Sequence, residues 1–485
     1  MIPADEILRR TAVLQKRKTY LEREKKPMEN KTVQQENKMG VMPIDRLLIS
    51  MSLPMMISML VQALYNIVDS IFVSRINEYA LRAVSLAFPI QSLMIAVSVG
   101  TAVGINAFLS RTLGEKEYEK ANTIAANGIF VEMMSYLAFV LVGIFLSRPF
   151  FASQTEIAQV REYGTTYLTI CCTAGVGIFM QVTFERLLQS TGRTFYAMIT
   201  QGVGAIINLV MDPILIFGYF GMPEMGVAGA AAATVLGQIA AAVLAIVFNL
   251  KINREIHISF KGFRPDGKLI ASIYKVGIPS IIMQAIGSVM TYGMNLILEA
   301  FGTAQTVFGI YFKLQSFIFM PVFGLNSGMV PIIAYNFGAG SRERVLRTMK
   351  SSIKYAVGIM LVGLAVMELF PARLIGLFDA QASTDLLVIG VPALRIICLS
   401  FCFAGYCIVV GSVFQALGNA VYSMLVSIAR QLCVLLPVAW LFSLSGNVNL
   451  IWWAFPIAEL VSLSLSTYFL IRINRDIIVH IGEEK

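Results

Sequence analysis

Twelve stretches of this chain, roughly 46–73, 84–110, 122–147, 162–187, 194–219, 228–250, 271–298, 306–333, 349–370, 386–414, 421–444 and 450–472, are long and apolar. About 20 apolar residues at a rise of about 1.5 Å per residue cross the hydrocarbon core of a bilayer, so each stretch reads as a spanning helix. Composition agrees. Of the 485 residues 57% are hydrophobic and only 14% charged, against roughly a quarter charged in soluble domains. The mean hydropathy is +0.72. The expected fold class is an all-α integral membrane protein of twelve transmembrane helices.

The ends and the cysteines exclude other classes. No short apolar segment with a small-residue cleavage site opens the chain, so no signal peptide is expected. Residues 1–45 are polar and highly charged, which predicts a disordered or loosely helical extension. Met39 or Met42 would serve as an alternative start, leaving residues 1–38 untranslated. Cys171, Cys172, Cys398, Cys402, Cys407 and Cys433 all fall in apolar segments without metal-ligand spacing, which predicts free thiols. His257 and His480 lie in polar segments, which removes histidine as an intramembrane proton carrier or metal ligand.

An even number of spans puts both termini on one side. If that side is cytoplasmic, the inner segments hold about 30 of the 38 Lys and Arg, among them Lys251, Arg254, Lys261, Arg264, Lys268 and Lys275. The outer loops hold Arg75, Arg82, Arg148, Arg161 and Arg373. The excess orients both termini to the cytoplasm of a cell inner (plasma) membrane. The net charge of +9 then reflects topology and anionic lipid, and no nucleic-acid partner is implied.

The polar stretch 251–270 divides the helices six and six, and the halves resemble each other. Leu53-Pro54-Met-Met-Ile57 matches Ile278-Pro279-Ser-Ile-Ile282, and Gly100-x3-Gly104 with Leu113-Gly114 matches Gly324-x3-Gly328 with Phe337-Gly338. LQSTGRTFYAM (188–198) matches FQALGNAVYSM (414–424), and Asp212-Pro213 matches Leu436-Pro437. The offset stays at 224–226. Six helices per half preserve orientation, so this is a parallel repeat, with the substrate expected between the halves near the midplane. The domains expected are an extension (1–45), an N-lobe (46–250), a cytoplasmic linker (251–270), a C-lobe (271–475) and a tail (476–485).

An acid at the centre of a spanning helix costs roughly 2.5–3.5 kcal/mol on insertion scales, which makes each one a functional candidate. Gln62, Tyr65, Asn66 and Asp69 are spaced i, i+3, i+4, i+7 on one face of the first helix. Asn208 and Asp212 share a face of the fifth helix, with Gly204 a turn earlier and Pro213 freeing a carbonyl. Thr234 follows the small-residue run Gly226-x-x-Gly229 of the sixth helix, which permits close helix approach. These residues predict a polar cavity in the N-lobe. The bland alternative is polar glue between helices, but glue is normally built from Ser, Thr or Asn, which carry no charge to bury. In the C-lobe Met294 and Val438 replace the two acids, and Lys313, Arg395, Arg430, Glu299 and Glu459 appear instead. Lys313 pairs with a carboxylate, contacts substrate, or snorkels. Glu185 faces the cavity or pairs with Arg186 and Arg193, and Glu132 is open.

SLPMMISMLVQALYNIVDSIFVS, NLVMDPILIFG, GVAGAAAATVLGQ and LQSTGR resemble multidrug and toxic compound extrusion (MATE) transporters over about residues 43–475. The paired acids resemble the DinF-like branch, and MepA-type multidrug exporters within it. The resemblance implies two lobes in a V around a cleft that opens to each face in turn. It also implies export of amphipathic, often cationic drugs against inward H⁺ or Na⁺, by a monomer needing no other cofactor. By the same resemblance Asp69, Asn208, Asp212 and Thr234 are the ion-coupling residues and Pro54 the helix-bend position; the placement of Gln62, Tyr65, Asn66, Glu185 and Lys313 in the spans makes them the expected cavity-lining residues. The C-lobe acids of the Na⁺-coupled bacterial branch are not evident. Two alternatives stand beside this: a lipid-linked oligosaccharide flippase, which needs a cationic cavity, and an intramembrane aspartyl protease, whose GxGD motif is absent.

Overall fold

The computed structural model describes residues 37–378 and 384–483, and the described residues are helical with no strand. Ten helices are long and apolar enough to span a membrane, and two bent pairs complete a set of twelve. In chain order the spans are α1 (Ile44–Ser74), α2 (Glu78–Gly114), α3 (Tyr118–Gln154), α4 (Ala158–Thr173 with Val176–Ser190), α5 (Thr194–Phe217) and α6 (Val227–Lys251). The second half has α7 (Gly267–Glu299), α8 (Thr303–Gly338), α9 (Arg342–Leu369), α10 (Leu386–Cys398 with Phe401–Ala416), α11 (Ala420–Ser443) and α12 (Val448–Ile478). The breaks in α4 and α10 bend the chain by 42° and 48°, and they stand at matching places in the two halves.

The halves meet where α1 packs on α8 and α2 packs on α7. The repeated glycines line that seam. A Cβ on Gly100 or Gly104 would overlap Ile281 or the Ile273 carbonyl of α7, and one on Gly324 or Gly328 would overlap Met56 or Ser52 of α1. At the end of the seam a Cβ on Gly114 would strike the Tyr335 carbonyl, and one on Gly338 the Arg111 carbonyl. These contacts are reciprocal, as a pseudo-twofold relation between repeats demands. Ser52 adds a hydrogen bond to the Leu325 carbonyl at 3.1 Å.

The segments that begin at residue 37 and end at residue 483, the α2–α3, α4–α5 and α8–α9 turns and the linker gather at this end of the seam. The expected loose extension falls largely on residues 1–36, outside the described residues. Residues 37–45 depart from that expectation and are packed. Met39 is fully buried in a short helix, Lys38–Val41, capped by the Asn37 side chain. Arg344 of α9 donates to the carbonyls of Met39 and Met42 and to Asn336 Oδ1, each at 2.8 Å. Asn37 donates to Glu255 Oε2 at 2.6 Å and to the Thr191 carbonyl at 3.4 Å. One segment thus straps the N-lobe to the C-lobe. Its charge pattern suggests a solvated tail, but carbonyls at the start of α1 supply acceptors that Arg344 satisfies. Burial pushes the Glu255 carboxyl up and the Lys38 amine down from their ordinary values.

The linker is likewise held. Its His257 and Asp266 backbone N–H groups donate to Asn122 and Asn127 of α3 at 2.7 and 2.9 Å. The tail expected from 476 begins as continued helix, to Ile478.

Replacing Gly338 by Val is expected to force the lobes apart at this end of the seam, because its Cβ meets a backbone carbonyl that cannot rotate away. Spin labels at Lys116→Cys and Arg342→Cys would report a longer distance in Gly338→Val than in the parent. Arg344→Ala should shift the same distance in the same direction, since hydrogen bonds from a charged donor are worth about 1.5–3 kcal/mol each.

Candidate functional site: a carboxyl pair inside the N-lobe

Close backbone approach builds this site. Gly204 of α5 and Gly237 of α6 face each other, and a Cβ on either would crowd the other's carbonyl or backbone. Gly229 sits against the Leu215 carbonyl in the same way. With α5 and α6 this close, the Asn208 amide bridges them. Oriented by its partners, its nitrogen donates to Asp212 Oδ2 at 3.2 Å. Its oxygen accepts the Thr234 backbone N–H at 3.1 Å, with the Thr234 hydroxyl 3.3 Å away. Both Asn208 and Asp212 are buried.

Helix α1 packs along α5 and brings Asp69 to face Asp212, carboxyl to carboxyl within hydrogen-bonding reach. A hydrogen bond between two carboxyl groups requires a proton on one of them. One oxygen of each acid, Asp69 Oδ1 and Asp212 Oδ1, is buried without a partner. Tyr65 lies within electrostatic reach of both acids. Asp69 also borders a cavity of about 350 Å³ between α1 and α2, shared with Ser70, Leu81, Ser85, Phe88 and Gln91.

The four-residue polar face of α1 divides. Tyr65 and Asp69 turn toward α5, while Gln62 and Asn66 are exposed. At 100° per residue the four span an arc of about 100°, so its two edges meet different surroundings. Pro54 lies inside α1, which runs unbroken from Ile44 to Ser74. The expected bend position therefore falls within a helix that has no break.

Glu185 is buried and accepts three hydrogen bonds, from Gln181 at 3.1 Å, Thr200 at 2.9 Å and Gln201 at 2.7 Å. Gln201 in turn accepts from the Ser58 hydroxyl, one turn beyond Pro54 on α1. Glu185 thus belongs to a second polar cluster of α1, α4 and α5. The alternative pairing with arginine does not form, since Arg186 donates to Gln189 at 2.8 Å. Lys313 is exposed, its Nζ 5.7 Å from the centroid of the Phe378 ring, and among the described residues it forms no ion pair. It does not line the cavity at Asp69, its expected place; its long side chain reaches a ring instead. Arg395 pairs with Glu368 at 3.6 Å and Arg430 with Glu459 at 3.1 Å. Glu132 is buried on α3 beside Ser98 of α2.

Residues absent from the expected site also converge here. Gln91 donates to the Tyr167 hydroxyl at 3.2 Å and lies 3.6 Å from Cys171 Sγ, tying α2 to α4 next to Asp69. A glutamine in the apolar run AFPIQSLMIA carried that signal; Tyr167 and Cys171 carried none, because tyrosine and cysteine are ordinary in spanning helices.

Two six-helix halves joined along a glycine seam, with an ionisable polar site inside one of them, define a multi-pass membrane transporter built on a parallel repeat. The MatE family model matches residues 54–214 and again 279–441, the two matches beginning 225 residues apart. The chain belongs to the MatE family, a family of transporters and not of enzymes. It is 25% identical over 441 residues to the multidrug export protein MepA of Staphylococcus aureus strain RF122, covering 90% of this chain and 95% of that one. MepA of Staphylococcus saprophyticus is 26% identical over 436 residues, covering 88% and 93%. The fold matches the outward-facing conformation of a multidrug resistance MATE family transporter with a TM-score of 0.84, at 23% identity over 90% of this chain and 98% of that one. It also matches a Pyrococcus furiosus transporter of the MOP superfamily, described as having a binding pocket of reverse polarity, with a TM-score of 0.84 at 22% identity over 93% and 99%.

Glu185→Ala leaves three donors, that of Thr200 fully buried, without their acceptor and is expected to destabilise the protein by about 3 kcal/mol, read as a lower unfolding midpoint in detergent. Glu185→Gln keeps an acceptor oxygen and should lose less than half as much.

Proposed function

We propose that this transporter exports amphipathic, often cationic compounds in antiport with H⁺ taken up by Asp69 and Asp212. The observation that carries the proposal is the facing carboxyl pair, held by Asn208 and Thr234 and opening at Asp69 onto a 350 Å³ cavity. Such a pair binds one proton readily and loses it when the carboxyls separate or a cation takes its place. The names of the staphylococcal relatives support multidrug export as the task. The lysine and arginine distribution supports cytoplasmic termini in the plasma membrane, and on that orientation the strapped end is the inner one. The cleft then faces outward. The protein acts as a monomer in lipid, with small-molecule drugs as its partners and the coupling ion as its only inorganic requirement.

Protonation changes which hydrogen bonds α1 makes to α5. The Ser58–Gln201–Glu185 cluster anchors α1 just past Pro54, so a change at Asp69 acts on the segment between these two anchors. Just before that segment Pro54, which has no N–H, leaves the Ser50 carbonyl without its helical donor and lowers the cost of bending. Bending shrinks the N-lobe cavity and releases drug. The ion drives this only through its different affinity for the two states. Na⁺ is the rival coupling ion, since the two unpartnered carboxylate oxygens are also cation ligands. The acidic N-lobe site disfavours a pyrophosphate-linked flippase substrate.

Proteoliposomes loaded with a fluorescent cation test the reading. A pH gradient alone should drive its movement, and Asp69→Asn should lose at least about tenfold in rate. Driving by a Na⁺ gradient without a pH gradient would transfer the coupling to Na⁺. Wild-type rates in Asp69→Asn would end the proposal.

A further inference from the structure

The repeat places a second pocket in the C-lobe, at the position that the acidic site occupies in the N-lobe. At the repeat offsets of 224–225 residues, Glu459 of α12 corresponds to Thr234 and Met290 of α7 to Tyr65 (225), and Gln315 of α8 to Gln91 (224, as for Gly100 and Gly324). All three C-lobe residues line one cavity of about 60 Å³. The two acids have no counterparts here. Instead Arg430, on a π-helical turn of α11 (Ala429–Leu435), enters the cavity and pairs with Glu459 at 3.1 Å. Single π-turns inside helices concentrate at functional sites, because they turn side chains out of the ordinary register.

The pair does not use up the polar capacity of the pocket. Glu459 Oε1 and Gln315 Oε1 are buried without partners, so two acceptors lack donors. Glu459 takes one N–H of the Arg430 guanidinium, which carries five in a fixed fork. The Arg430 side chain is 30% exposed, which leaves the remaining fork accessible. The rings of Tyr311, Phe312 and Phe455 supply an apolar wall. A lone cation would be repelled by Arg430, and a lone anion by Glu459. A compact group carrying both charges satisfies both.

We propose that this C-lobe pocket binds a compact zwitterion with an apolar tail, of the α-amino-acid type. Its carboxylate lies on the Arg430 fork, its ammonium on Glu459 Oε1 and Gln315 Oε1, and its tail against the aromatic wall. This extends the substrate range of the drug-export reading from cations at the N-lobe to bipolar molecules at the C-lobe, and it rests on that reading for the premise that small amphipathic molecules enter the lobes.

Binding to the purified full-length protein without any ion gradient tests it, using L-alanine, its methyl ester (a cation) and N-acetyl-L-alanine (an anion), since a cavity of about 60 Å³ admits only a small side chain. The parent amino acid should bind about tenfold tighter than either derivative. Arg430→Gln with Glu459→Gln removes both charges together, so no buried ion is orphaned, and should bring the three affinities to within about twofold. Gln315→Leu introduces no charge defect and should selectively lower the preference over the N-acetyl derivative about threefold. Equal binding of parent and derivatives by the wild type would overturn the proposal, as would unchanged ratios in the variants. Such a result leaves proton antiport untouched, whereas failure of proton-driven export leaves this binding result standing.

Discussion

The rest of the architecture depends on the approach of backbone to backbone along the seam between the lobes. In a bilayer no hydrophobic gain accompanies the association of apolar helices, so close van der Waals contact must supply the attraction. Gly100, Gly104, Gly324 and Gly328 provide it by letting α2 meet α7 and α8 meet α1 at backbone distance. Gly114 and Gly338 continue the seam, each against a backbone carbonyl of the other lobe. Met51 and Met55 of α1 and Leu325 and Met329 of α8 are buried as well. The Arg344 fork on the Met39 and Met42 carbonyls adds polar contacts between the lobes.

The same economy of small residues builds the acidic site. Gly204 against Gly237 sets the spacing at which one amide, Asn208, spans from Asp212 to the backbone of Thr234. Two carboxyls inside the bilayer are costly as charges, so their stable form shares a proton or a cation. The helix that carries Asp69 is also the helix that carries Pro54. In the C-lobe the repeat keeps the place and exchanges the chemistry, with Arg430 and Glu459 neutralising each other where the N-lobe keeps two acids. The two halves thus carry polar sites of different charge and size at related places.

Much of this was legible in the residues alone, and particular positions show why. Hydropathy gave twelve spans because a bilayer imposes a length, and the constant offset of the LPMMI, GxxxG and LQSTG stretches exposed the repeat. Asp69, Asp212, Asn208 and Thr234 stood out because polar groups are expensive in lipid, and three-dimensional proximity followed from that cost. Lys313 stood out for the same reason and yet sits over Phe378, since a long flexible cation can leave the hydrocarbon where a short carboxyl cannot. The packed start of the chain at Met39 was hidden, because its partner, Arg344, lies about 300 residues away and nothing local announces a carbonyl acceptor.

The sequence by itself determined the solvent, the number of spans, the duplication and the identity of the intramembrane acids. Each of these follows from local composition or periodicity, which transfer energies govern residue by residue. Tertiary structure alone decided which edge of the α1 face turns inward, that Glu185 binds Gln201 and not an arginine, and that Gln91 and Tyr167 join the site. It alone decided as well that Arg430 and Glu459 share a cavity. Those outcomes depend on helix rotation and on separations of a few ångströms between distant segments, and no local energy term carries that information.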